Sequence, residues 1–255
     1  LSWMQAARVT LTGMFVSMVT PFAKLGGEPL KMYMLRGNIG SNNASAAVAI
    51  ESIMELVSSL LVVFMIAVVF FSEIPAAYVT TFLLFLIVVG LALMILLKIF
   101  FTPRWLHRII NWIASKMARM MEVEKKDYAE MFSTAFYAMW KSRRLVAGAL
   151  SVSLASKLLE IARLWILFLA IGIALPLKEV AIIWCIILVL LFIPWLPGSL
   201  GLAEFGAISA VVAFGIAPGP AASGILLDRF VSFWLLLAVG MAALYIAKSK
   251  GELPD

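Results

Sequence analysis

The sequence predicts an all-α, polytopic transmembrane helix bundle, and three observations carry that prediction. Of 255 residues, 64% are hydrophobic and only 13% are charged, against about 25% charged residues in a typical soluble domain. Mean hydropathy is +1.07, and no soluble fold of this size hides so much apolar surface, because accessible area grows too steeply with mass. Several stretches carry no charge at all: Val9–Ala23, Leu56–Ser72, Ile74–Leu97, Val180–Ala203, Phe205–Leu227 and Phe230–Ala247.

A helix crossing the hydrocarbon core needs roughly 20 apolar residues. Spans are therefore expected near 3–21, 46–71, 76–99, 146–172, 177–196 and 222–247. The segment 200–216 is shorter and Gly-rich, which predicts a half-helix. The chain is read as a single transmembrane domain over 1–255, with a first repeat over about 1–75 and a second over about 177–247. It opens at Leu1 almost directly in an apolar run, without the charged and apolar regions of a signal peptide. An N-terminal piece of one or two helices is accordingly expected to precede it.

The formal charge is +6, and half of the 20 Lys and Arg lie between Lys98 and Arg144. The positive-inside rule places this stretch, 98–145, in the cytoplasm. A basic stretch between spans answers to anionic headgroups rather than to nucleic acid. Within the insert 100–145, Trp105, Ile109, Trp112, Ile113 and Met117 share one helical face, with Arg104, Arg108, Lys116 and Arg119 around the other. That is a basic amphipathic helix able to lie in the interface. A second helix is expected to end at the Lys141, Arg143, Arg144 cluster. The span 76–99 then runs inward, 146–172 outward and 177–196 inward. The segment 22–45 lies in the cytoplasm or dips in from that side. The side of the C-terminus stays open, although Lys248 and Lys250 favour the inside. The one cysteine, Cys185, and the one histidine, His107, exclude disulfides and His- or Cys-cluster metal sites. No cofactor is expected.

An internal repeat places a candidate site. Pro21 is followed by Gly26, Gly27 and Glu28, and Glu51 comes 23 residues after Glu28. Pro197 is followed by Gly198, Gly201 and Glu204, and Asp228-Arg229 begins 24 residues after Glu204. In both copies the acid sits seven residues after the proline. Pro and Gly break a helix inside the membrane and free backbone groups, which must be satisfied by protein or by a water-filled cavity. Transporters build substrate sites from such broken helices near the midplane. A half-helix N-terminus attracts anions. Kinks that only assist packing would give the same motifs.

Charges within spans point the same way. Glu51, Glu55, Lys157, Glu160, Arg163, Glu204, Asp228 and Arg229 all fall in or at the edges of expected spans. A charge at the bilayer centre costs about 2.5–3.5 kcal/mol on insertion scales, so such residues face the bundle interior and pair. Lys157, Glu160 and Arg163 are spaced by three and line one helical face, where they can neutralise one another.

The segments Thr20-Pro21, Gly26-Gly27-Glu28-Pro29-Leu30-Lys31, Ala47-Val48-Ala49-Ile50-Glu51, Leu196-Pro197-Gly198, Gly201, Glu204 and Leu227-Asp228-Arg229 resemble one known family. It is the flippase-like membrane domain of lysylphosphatidylglycerol synthase, shared with many bacterial and archaeal membrane proteins. The resemblance covers nearly the whole chain. It implies about eight helices, some re-entrant, and a link to translocation of lipids or lipid-linked sugars. The family often shows Glu-Arg in the first copy, whereas Ser52 follows Glu51 here. No aminoacyl-transferase domain follows Asp255, so lipid aminoacylation is not expected.

The expected function is therefore a flippase or transporter for a phospholipid or a polyprenyl-phosphate lipid in the cytoplasmic membrane. Glu28, Glu204 and Asp228 would line a polar cavity, and Arg229 would hold the anionic headgroup. Glu51 and Glu204 are the candidates for proton coupling. No Gly-x-Ser-x-Gly turn, P-loop or His-based dyad marks an enzyme. Two alternatives stay open: a membrane subunit of a glycosyltransferase or lipid-modifying synthase, and an intramembrane lipid-phosphate transferase.

Overall fold

A computed structural model describes residues 2–20, 26–70, 87–92, 94–95, 98, 134–191 and 200–253. Pro21, Pro197, Gly198, most of the span expected over 76–99 and residues 100–133 of the insert lie outside the described residues. The regular elements are helices: α1 (Trp3–Val19), α2 (Glu28–Ile39), α3 (Ser41–Val69), α4 (Arg143–Ala170), α5 (Leu177–Leu191), α6 (Leu202–Ala213), α7 (Pro218–Arg229) and α8 (Leu236–Ser249). A π-helical segment, Phe230–Leu235, joins α7 to α8. Ser41–Val69, Arg143–Ala170 and the continuous run Pro218–Ser249 are long and apolar enough to cross a membrane. The protein is a membrane protein with several apolar helices.

Local chemistry sets the helix ends. Ser2 Oγ accepts from the Gln5 N–H at 3.3 Å, and Gln5 Oε1 accepts from the Ser2 N–H at 2.9 Å, a capping box that starts α1. Pro29 stands in the first turn of α2, where its missing N–H costs nothing. The 12-residue α2 and the 12-residue α6 each carry an acid in the first turn, Glu28 and Glu204. A glycine with positive φ follows each, Gly40 at 80° and Gly215 at 89°. A long apolar helix follows in turn, of 29 residues after Gly40 and 32 after Gly215.

The chain folds as two compact units. The first comprises Leu1–Ser41 and Leu158–Asp255. In it α1 runs antiparallel to α8. Arg8 pairs with Glu252, Val9 clusters with Ala247, and Gly240 lies against Leu11 and Phe15. Helix α2 doubles back along α1. Its start, Gly27, sits so close to Gly13 and Ser17 that an added Cβ would lie 1.9 Å from Gly13 O. Its other end returns to the level of Val9, where Met34 joins the same cluster. The start of α2 is thus at the depth of mid-α1, and its end is level with the first turns of α1.

Helix α6 makes an excursion in the opposite direction. Its first turn is fixed by the Glu204–Arg229 pair, 2.8 Å between Oε1 and Nε. Its last residue is separated from Pro218 by only a short turn containing Gly215. Along the long span, Arg229 lies about 16 Å from Pro218 and about 30 Å from Ser249 at 1.5 Å per residue. Gly240, level with the start of α2, lies about 14 Å from Ser249 on the same measure. The two half-helices therefore begin in the middle of the span and end at opposite faces. Both positive N-terminal ends are turned toward the central third of the layer, which contains the π-helical segment.

The second unit comprises Asn42–Lys157. Ala46, Ile50 and Met54 of α3 pack against Phe136, from the helical stretch 134–141, with Val146, Ala149 and Leu150 alongside. Phe136 stacks on Trp140 with centroids 5.9 Å apart. Lys141, Arg143 and Arg144, the expected basic end of the insert, are all exposed at the start of α4.

Candidate functional site

Two of the first unit's buried charges, Asp228 and Arg229, meet partners from α4 and α6. Asp228 and Arg229, adjacent in the chain, are both buried at the end of α7, immediately before the π-helical segment. Arg163 of α4 reaches Asp228 Oδ1 through Nε and Nη2, each at 3.0 Å. Ser232, one turn on, places its hydroxyl 3.5 Å from Asp228 Oδ2. Arg229 Nε reaches Glu204 Oε1, while Glu204 Oε2 accepts from the Gly201 N–H at 2.6 Å. Glu204 thus joins the broken start of α6 to the middle of the long span.

The two ion pairs sum to zero charge, which offsets the cost of placing four ionised groups among apolar helices. One donor is left over. Arg229 Nη2 is buried and has no hydrogen-bond partner among the described residues. A buried guanidinium N–H without an acceptor is costly, and it stands beside the N-terminus of α6, where backbone N–H groups and the helix dipole favour an anion. π-helical turns themselves recur at functional sites. The arrangement suits a phosphate or carboxylate oxygen approaching Arg229.

The glycines of both motifs act through space or conformation. Gly26 and Gly27 lie against α1, where a Cβ would come within 1.9 Å of Thr20 Oγ1 and Gly13 O respectively. The Gly27 N–H donates to Ser17 Oγ at 3.0 Å. Gly201 has φ 86°, a conformation that favours glycine.

The other expected residues are distributed differently. Glu28 Oε1 is 3.4 Å from Lys31 Nζ, and Glu28 Oε2 is buried without a partner among the described residues. Glu51 is exposed on α3 in the second unit. In that unit Glu55 lies 3.5 Å from the buried Lys157 Nζ. Lys157, Glu160 and Arg163, which share one helical face, also reach other helices: Lys157 meets Glu55, Glu160 accepts from Trp184 Nε1 at 3.1 Å, and Arg163 meets Asp228. Ser232, Trp184 and Ser17 were not legible as site residues. Only the i+4 spacing of Ser232 from Asp228 carried any signal.

Comparison with known proteins agrees with a membrane protein. The lysylphosphatidylglycerol synthase TM region matches residues 1–240. A UPF0104 membrane protein of Methanothermobacter thermautotrophicus is 25% identical over 95% of this chain and 75% of its own length. UPF0104 membrane proteins of Pyrococcus horikoshii and Methanocaldococcus jannaschii are 23% and 25% identical, over 94% and 95% of this chain and 76% and 74% of their own lengths. No solved structure matches the chain. With the paired Pro/Gly/Glu motifs and the match over residues 1–240, the chain belongs to the lysylphosphatidylglycerol synthase transmembrane-region family.

Proposed function

We propose that this protein is a lipid flippase or transporter of the cell membrane, moving a phospholipid or polyprenyl-phosphate headgroup between leaflets without chemical change. The observation that carries the reading is Arg229. It is buried mid-span, half-satisfied by Glu204, and keeps Nη2 free of any partner among the described residues beside a half-helix N-terminus. Two half-helices that enter from opposite faces would supply what translocation needs: a polar centre and a route to it from each side. Arg229 holds the phosphate, Glu204 keeps its guanidinium in place, and the Arg163–Asp228 pair keeps the neighbouring wall polar.

The orientation follows from charge. Arg8, Arg36, Lys248 and Lys250 gather at the end where α2 and α8 finish, which the positive-inside rule makes cytoplasmic. The insert is cytoplasmic on the same rule. Membrane lipids are the partners, and a glycosyltransferase or synthase is a partner that would supply or consume the translocated lipid.

The test is headgroup translocation in proteoliposomes, read by dithionite quenching of fluorescent phospholipid and polyprenyl-phosphate probes. The wild-type protein should move at least one probe, and Arg229→Ala should reduce that rate by at least tenfold at equal reconstitution. If wild type and empty liposomes behave alike across the probe set, autonomous flipping is wrong, and a membrane-subunit role takes its place.

A further inference from the structure

A second polar feature lies at the opposite end of the long span from Pro218, some 30 Å along the helix from Arg229 at 1.5 Å per residue. There the first turns of α1, the last turns of α2 and the residues after α8 line an open cleft of about 400 Å³. Gln5, Tyr33, Arg36, Asn38 and Glu252 present polar groups to it, and the buried Val9 forms part of its apolar side. The volume falls within the roughly 300–1,000 Å³ of small-molecule sites.

Charge decides what it would take. Arg8, beside the cleft, is committed to Glu252, with Nε 2.8 Å from Oε2. Arg36 has no carboxylate partner among the described residues. Its guanidinium carbon stands 3.7 Å from the centroid of the Tyr33 ring. Stacking uses the face of the guanidinium and orients the plane, while its N–H edge stays available for bidentate contact with an oxyanion. The carboxylate on the wall, Glu252, is already neutralised by Arg8. Lys248 and Lys250, exposed nearby on the chain, add positive potential.

We infer that this cleft is a binding site for a phosphate ester, with Arg36 as the oxyanion ligand, Tyr33 as its platform, and Gln5 and Asn38 as hydrogen-bonding neighbours. The chemistry fits a glycerophosphate group, whether it belongs to an anionic phospholipid in the adjoining leaflet or to a soluble phosphate ester. The site is separate from Arg229 and does not depend on the flipping proposal.

The full chain in a neutral detergent would be titrated with three probes: short-chain phosphatidylglycerol, phosphatidylcholine of equal chain length, and glycerol 3-phosphate. Binding would be read by native mass spectrometry and by the shift in unfolding temperature. Saturable binding of phosphatidylglycerol well above phosphatidylcholine is expected, weakened about tenfold or more by Arg36→Ala, since a charge-assisted contact is lost. Arg36→Lys should keep part of the affinity, and Tyr33→Leu should weaken binding while leaving the charge in place. Equal binding of glycerol 3-phosphate assigns the site to a soluble ester; phosphatidylglycerol binding alone assigns it to lipid. Because Arg36 is exposed, the unliganded Arg36→Ala protein should unfold at nearly the wild-type temperature. If Arg36→Ala binds all three probes as wild type does, or none binds wild type saturably, the inference is wrong.

Discussion

Arg229 and Glu204 meet at 2.8 Å across the gap between the long span and the first turn of α6. The same carboxylate caps the backbone at Gly201. One side chain thus satisfies an orphan helix N–H and pairs with a buried cation. Removing one charge would leave the other buried and unpaired, which typically costs about 3–5 kcal/mol. We expect Glu204→Gln and Arg229→Met each to destabilise the protein in detergent. The double variant should lose less than the two losses added, with a coupling of about 1–3 kcal/mol. Denaturant titrations of the four proteins measure it, and strict additivity would remove the pair as a structural unit.

Gly201 separates conformational from steric cost. Its φ is 86°, and a Cβ built there meets nothing within 4 Å. Gly201→Ala should therefore lose only the strain of an L-residue held at positive φ, about 1–3 kcal/mol. Through the Glu204 cap it should also shift the start of α6 and slow lipid movement by more than this stability loss explains. Thermal unfolding and the proteoliposome rate, measured on one preparation, test both halves of the expectation.

Hydropathy made the helical class legible, because lipid imposes long apolar runs whose backbone groups are satisfied within the helix. The span expected at 222–247 is found within Pro218–Ser249, and the half-helix expected at 200–216 is Leu202–Ala213. The partners of the intramembrane charges were not legible. Glu160 bonds Trp184 and Arg163 bonds Asp228 because of how helices pack, and no i+3 spacing encodes that. The π-helical segment after Arg229 was equally hidden, since Phe230–Leu235 contains neither Pro nor Gly. The cleft at Arg36 depends on α1, α2 and the residues after α8 converging from distant parts of the sequence.

Gly27 is the complementary steric case. A Cβ there would lie 1.9 Å from Gly13 O and 2.5 Å from Ser17 Oγ, and a backbone carbonyl cannot turn aside as a flexible side chain can. Gly27→Ala should cost about 3 kcal/mol, the top of the range typical of overpacking. A methyl group added at Gly148, in α4, would meet nothing within 4 Å, so Gly148→Ala should stabilise by up to about 1 kcal/mol through helix propensity. Opposite shifts in unfolding temperature for the two variants are the expected result. A neutral Gly27→Ala would mean that α2 does not lie against α1 at this depth.

The opposed half-helices make a prediction about sides that needs no substrate. Gly37, near the end of α2, and Lys250, after α8, are exposed at one face, whereas Gly219, at the start of α7, is exposed at the other. Cys185 is the one cysteine of this sequence, and its replacement by alanine removes that thiol from the background. Single cysteines at positions 37, 219 and 250 would then be challenged with a membrane-impermeant maleimide on intact cells and after permeabilisation. Position 219 should label from outside, and positions 37 and 250 only once the membrane is opened. The pairing of 37 with 250 tests the return of α2 along α1, and their separation from 219 tests the full crossing of Pro218–Ser249. If 37 labels with 219 instead, α2 leaves the membrane on the other side, and the two half-helices share one face. A shared face would leave the central third of the layer open to one side alone, and a headgroup held at Arg229 would have no second exit.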